Sequence, residues 1–173
     1  MAATFIVETG TGLSNANSYL SITDADAYHL DHSGSTDWSG ADNADKEAAL
    51  RLATQYLDAK HAGKWKGTKY TTTQALAWPR TGAYDGENCL IEYNVIPQAL
   101  KDACAELALK VIGGDTLLDD LDKTGVIKSE TKKLGILETS KEYIGGKSQV
   151  KRYPLIELLV KQLTTDNSVC ERG

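Results

Sequence analysis

The chain has 173 residues and a mass of 18.7 kDa, which suits one domain; 41% hydrophobic and 25% charged residues exclude wholesale disorder and a collagen-like fibre. A net charge of -5 and a pI near 5.2 argue against a protein that coats nucleic acid by charge alone. No stretch approaches the ~20 apolar residues of a membrane span, and the opening residues lack the basic start and apolar run of a signal peptide, so a chain of the cytosol, or of something assembled there, is expected.

In chain order, residues 3–7 suit a short strand, and residues 9–17 form a loop of Gly, Ser, Thr and Asn. Thr23 is the expected N-cap of a first helix, with Asp24 and Asp26 in its first turn, where negative charge meets the helix dipole. That helix stops near Ser33 and Gly34, and a small polar segment around Trp38 follows, anchored on the core by its ring. From Asp42 to His61, Leu50, Ala53 and Leu57 recur at helical spacing with Ala49 and Tyr56 beside them. Lys46, Arg51, Asp58 and Lys60 fall largely on the other side, and Gly63 ends the helix.

The loop from Gly63 to Tyr70 carries Lys64, Lys66 and Lys69 around Trp65 and reads as a strongly basic patch. Thr71 to Thr73 suit the cap of a short helix over residues 74–77, which Pro79 stops; Thr81-Gly82 and Asp85-Gly86 signal turns. Pro97 is expected at the first position of a helix whose apolar face is Leu100, Ala103, Cys104, Leu107, Ala108 and Val111, ended by Gly113-Gly114. Its small residues Ala103, Ala105 and Ala108 let a neighbouring helix approach closely. Beyond Asp122 the period changes to two, predicting an antiparallel hairpin over residues 126–131 and 136–143 with Leu134-Gly135 near its turn. Leu155, Ile156, Leu158, Leu159, Val160 and Leu163 then predict a C-terminal helix apolar nearly all round, which its own core or a partner must cover.

The fold class expected is mainly α (α+β): an antiparallel helical bundle with a β-hairpin insertion and a C-terminal helix or extended tail. A single domain over residues 1–173 is expected, with 123–146 as a projecting hairpin and 164–173 as a flexible tail.

Motifs with catalytic or ligand chemistry are weak. Gly145-Gly146-Lys147-Ser148 resembles the end of a phosphate-binding loop, but Lys141 stands where its first glycine belongs and Pro154 follows too soon for the required helix. Asp120, Asp122, Thr124 and Gly125 match the opening of a calcium loop, yet Thr131 occupies the position of its closing acid. His29 and His32 lie three apart on one helix without a second pair of ligands, so solvent-exposed histidines are expected there. Cys89, Cys104 and Cys170 are an odd, widely spaced set that reads as free thiols. No nucleophile elbow or catalytic set emerges, so no enzyme, cofactor or metal site is expected.

Several stretches together resemble a family. They are Val7-Glu8-Thr9-Gly10-Thr11-Gly12-Leu13 with Asn15-Ala16-Asn17-Ser18-Tyr19, then Gln74 through Gly82, Val95 through Ala108, and Arg152-Tyr153-Pro154-Leu155. In order and spacing the chain is similar to the phage proteins labelled DnaT-like single-stranded-DNA-binding proteins, which in turn resemble head–tail adaptor, or connector, proteins of tailed phages. The adaptor side of the resemblance implies a virion structural protein at the head–tail junction, assembled in the host cytoplasm. It would form a ring of itself, a dodecamer, below the portal protein, with genomic DNA passing through its channel, a tail or nozzle protein attached, and no membrane contact. The alternative it implies is a single-stranded-DNA-binding replication accessory. The acidic chain and its uncovered apolar helices favour the adaptor. Tyr153, Leu155, Leu158 and Leu159 are then the candidate partner-docking residues, and Lys64, Trp65, Lys66 and Lys69 the candidate subunit or nucleic-acid contact.

Overall fold

The computed structural model describes residues 4–32, 35–117, 129–134, 137–142 and 152–165. Among them are five helices: α1 (Ile22–His32), α2 (Thr36–Gly40), α3 (Asn43–Lys60), α4 (Gln98–Ile112) and α5 (Pro154–Lys161). Two short antiparallel sheets accompany them, β1 (Thr68–Lys69) with β2 (Arg80–Thr81), and β3 (Ser129–Leu134) with β4 (Leu137–Glu142). The fold is mainly helical α+β, as the sequence led us to expect. The phosphate-loop resemblance at 145–148 and the calcium-loop resemblance at 120–131 lie wholly or mostly outside the described residues, as does Cys170.

The chain divides into two compact units, one of Met1–Leu117 with Tyr153–Gly173, the other of Leu118–Arg152. In the second, β3 and β4 pair in one register from Ser129 opposite Glu142 to Leu134 opposite Leu137. Residues 126–128, which the sequence reading gave to the first strand, lie outside the described residues.

The first unit is organised around α4, which packs against α3 and α5 and touches α1 and α2. Leu100, Ala103, Cys104, Ala105, Leu107 and Ala108 are all fully buried. Three alanines on one helix leave its surface thin enough for neighbours on several sides, and burying these side chains removes apolar area from water at ~25 cal/mol per Å². Pro97 turns out to be the N-cap and not the first helical residue. At the other end Gly114 N donates to Val111 O and Asp115 N to Lys110 O, a Schellman closure that requires the left-handed backbone of Gly114, φ +86°.

Local chemistry explains the other helix ends. Asp42 caps α3 by accepting from Asp45 N at 2.8 Å. Ser21, not Thr23, caps α1: its Oγ accepts from Asp24 N at 3.1 Å and donates to the Asp24 carboxylate at 2.8 Å. The segment around Trp38 is the one-turn helix α2, and Trp38 is buried as expected, its Nε1 donating to Asp26 Oδ1 at 2.7 Å. The expected strand at 3–7 reduces to a single parallel bridge, Val7 to Ser18.

No helix forms at 74–77. Thr71 N donates to Gln74 Oε1 and Gln74 N to Thr71 Oγ1, the reciprocal bonds of a helix start. The buried Gln74 amide then donates to the carbonyls of Leu76 and Pro79, holding the chain in a tight loop that ends in the cis Trp78–Pro79 bond. A side chain that takes the local carbonyls competes with the helical ladder.

Helix α3 departs from its expected polarity at two places. Lys46 is buried, its ammonium 2.9 Å from Asp26 Oδ1 and 5.3 Å from the Trp38 ring centroid. Asp58 is half-buried, accepting from Tyr19 Oη at 2.5 Å and from Ala77 N at 2.8 Å. His29 is likewise buried, against Tyr28 and Trp38, where an exposed position was expected; His32 is exposed and stacks on Tyr28.

Candidate nucleic-acid interface

The basic loop after α3 is tied into the fold more tightly than its composition suggests. Trp65 bridges to Thr164, and Lys66 N donates to Leu163 O at 3.0 Å, so the chain just after α5 runs along this loop. Trp65 is therefore buried, its ring edge-on to Trp78 and tilted against His61. A ring in that position is closed off by its neighbours, with little of it left to meet a base. The Lys66 ammonium is held by the carbonyls of Tyr84 and Gln162 at 3.2 and 2.8 Å. Lys60 pairs with Glu157 at 2.9 Å. Lys64 and Lys69 are exposed, with Lys69 Nζ reaching Gln74 O only at 3.4 Å.

His61 lies among these cations. Burial, with the Lys60 and Lys64 charges, lowers its pKa to about 4, and its Nε2 is a buried nitrogen without a hydrogen-bond partner. The imidazole is therefore neutral at physiological pH. Arg80 on β2 is spent on structure, its guanidinium donating to the carbonyls of Lys66, Gly67 and Ala77.

The candidate docking residues on α5 divide. Tyr153 is buried and joins Ile156, Val160 and Leu163 in the core. Leu155 and Leu158 are exposed and Leu159 is half-buried. An open groove of about 640 Å³ brings Lys66 together with Leu158, Leu159, Lys161 and Gln162. The helix that seemed apolar all round is covered on one side by its own unit.

Tyr70 closes the basic loop, and Tyr93, which the sequence reading did not single out, stands beside it. Tyr70, just after β1, is 40% exposed and Tyr93 is 51% exposed. Their ring centroids are 5.1 Å apart with 32° between planes. The signal available in the sequence was charge: residues 59–84 hold five Lys or Arg and no Asp or Glu. A second basic stretch, residues 123–152, holds eight against three. The remainder of the chain has six basic and twenty-one acidic residues, so the net charge of -5 conceals two positive segments.

Among the described residues no cluster of His, Cys, Asp and Glu could hold a metal ion, and no helix is long and apolar enough to cross a membrane. The fold and this surface define a small, mainly helical α+β protein with segregated positive charge and paired surface tyrosines. The family described as "Putative DnaT-like ssDNA binding protein" matches the chain over residues 3–172, and the chain belongs to that family. No curated protein and no solved structure matches it. The family match overturns the head–tail adaptor reading, because what it names is single-stranded DNA and not a virion junction. The ring of twelve copies, the portal and tail partners and the DNA channel fall with it. Net acidity misled the reading, since it averages over segments of opposite sign.

Proposed function

We propose that this protein binds single-stranded DNA. The observation that carries the reading is the family match over nearly the whole chain. The charge distribution supports it: phosphates are drawn to the two basic stretches, and the acidic remainder repels nucleic acid from the other surfaces. The proposed role is binding, and no residue is assigned to catalysis.

Fluorescence anisotropy with a labelled thymidine oligonucleotide of about 30 nucleotides tests it, beside a duplex of equal length. Saturable binding to the single strand is expected, stronger than to the duplex. Log K should fall linearly with log salt, at about -0.7 per phosphate neutralised. No single-strand complex even at about 50 mM salt, or equal affinity for the duplex, would overturn the proposal.

A further inference from the structure

We infer that Tyr70 and Tyr93 form the platform on which bases of the bound single strand stack; this rests on the single-stranded-DNA reading and says where the strand lies. Among the described residues the exposed tyrosines are Tyr70, Tyr84 and Tyr93, and of these Tyr70 and Tyr93 stand ring against ring. All three tryptophans are buried, as are Tyr19, Tyr56 and Tyr153. Two neighbouring rings left open to water present an aromatic area that a base can cover, and each hydroxyl keeps the surface compatible with solvent. Stacking on aromatic rings needs no particular base, because every base has a π-face.

The platform is held from below by the opening loop of the chain. Glu8 is buried, and its carboxylate accepts from Gly10 N at 2.9 Å, Gly12 N at 3.0 Å and Leu13 N at 2.8 Å. That internal anion fixes the loop with Gly10 at φ +98° and Gly12 at φ +74°. Gly10 lies directly against the carbonyl of Asn94, the residue after Tyr93, so closely that a Cβ would overlap it. A Cβ on Gly12 would meet Thr71 Oγ1 at 3.0 Å and Tyr70 Cδ1 at 3.5 Å. Tyr70 N is fixed in turn by Pro79 O at 3.1 Å. Three segments distant in the chain thus brace the two rings, which lowers the ordering cost of binding.

The electrostatic setting suits a polyanion. Lys69, adjacent to Tyr70, is exposed, and Lys64 is exposed in the same acid-free stretch; Glu92 is the acid next to Tyr93. Exposed Thr72 and Thr73 follow Tyr70 and can donate to phosphate oxygens.

The test compares Y70A, Y93A, the double variant and the Y70F/Y93F variant in the anisotropy assay. Each alanine should weaken binding roughly tenfold and the pair roughly a hundredfold, while the phenylalanines stay within about twofold. The salt slope should hardly change, because the rings carry no charge, whereas K64A/K69A should flatten it. As a measurement that does not depend on variants folding, photocrosslinking of a 5-iodouracil oligonucleotide to the full chain should label peptides containing Tyr70 or Tyr93. A wild-type chain that binds no single strand refutes the functional reading itself. A wild type that binds, with the double alanine variant within twofold of it or crosslinks confined to other residues, overturns the platform and leaves the functional reading standing.

Discussion

Replacing Asp58 by alanine removes the acceptor that joins three parts of the fold. Its carboxylate receives the Tyr19 hydroxyl from the opening segment and Ala77 N from the loop before the cis proline. Tyr19 Oη itself accepts from Trp78 N at 3.2 Å, so the network fastens the 74–82 stretch to α3. Hydrogen bonds to a charged group contribute about 1.5–3 kcal/mol each, and two are lost. Burial opposes part of this gain, since desolvation raises the Asp58 pKa above the ordinary carboxylate value. The net cost of D58A is then about 2–4 kcal/mol, or roughly 5–15 °C in Tm for a chain of this size. D58N keeps the shape and one acceptor oxygen but turns an amide N–H toward a donor, so it should fall between wild type and D58A. Thermal unfolding by circular dichroism at pH 7 measures both, and a double cycle with Y19F isolates the shared bond. A D58A chain that melts within about 2 °C of the wild type would refute the reasoning, because the network would then be worth no more than a surface contact.

Stability should also fall as pH drops from 6.5 toward 4. His61 has its folded pKa lowered to about 4, so in that window the unfolded chain takes up a proton that the folded chain excludes. His29, lowered by burial, acts with the same sign, and the raised Asp58 acts against it. The H61Q variant should show a shallower fall in Tm across this range, and an unchanged slope would exclude His61 as its source. Gly10 and Gly63 should behave differently as alanines. G10A meets the Asn94 carbonyl and should lose several kcal/mol or fail to fold, whereas G63A faces open space at φ +74° and should cost about 1 kcal/mol, both read by urea unfolding. Native thiol labelling followed by peptide mass spectrometry should modify Cys89, which is exposed, and spare Cys104, whose thiol is fully buried with its pKa pushed up to about 12. Labelling of Cys104 at a comparable rate would show that the α3–α4 core opens readily.

Much of the helical framework was legible in the chain. The stripes on α3 and α4, the Gly113-Gly114 stop and the proline start of α5 all depend on residues within about a turn of one another, and these local rules apply before any tertiary contact forms. The limits of that reading appear at polar and amphipathic residues. Lys46 and Asp58 were expected on the outer side of α3, and each points inward because a distant element supplies its partner: Asp26 and Trp38 for one, Tyr19 and Ala77 for the other. Trp65 and Tyr70 sit five residues apart in the same basic loop, yet one is core and the other surface. Nothing local separates them. The stretch after α5 bridges to Trp65 and buries it beside Trp78, while Tyr70 meets Tyr93 and the glycine loop and stays exposed. A helix is encoded by neighbours three and four residues away, but whether an aromatic or charged side chain is buried depends on which remote segment closes over it, and that is decided only when the chain folds.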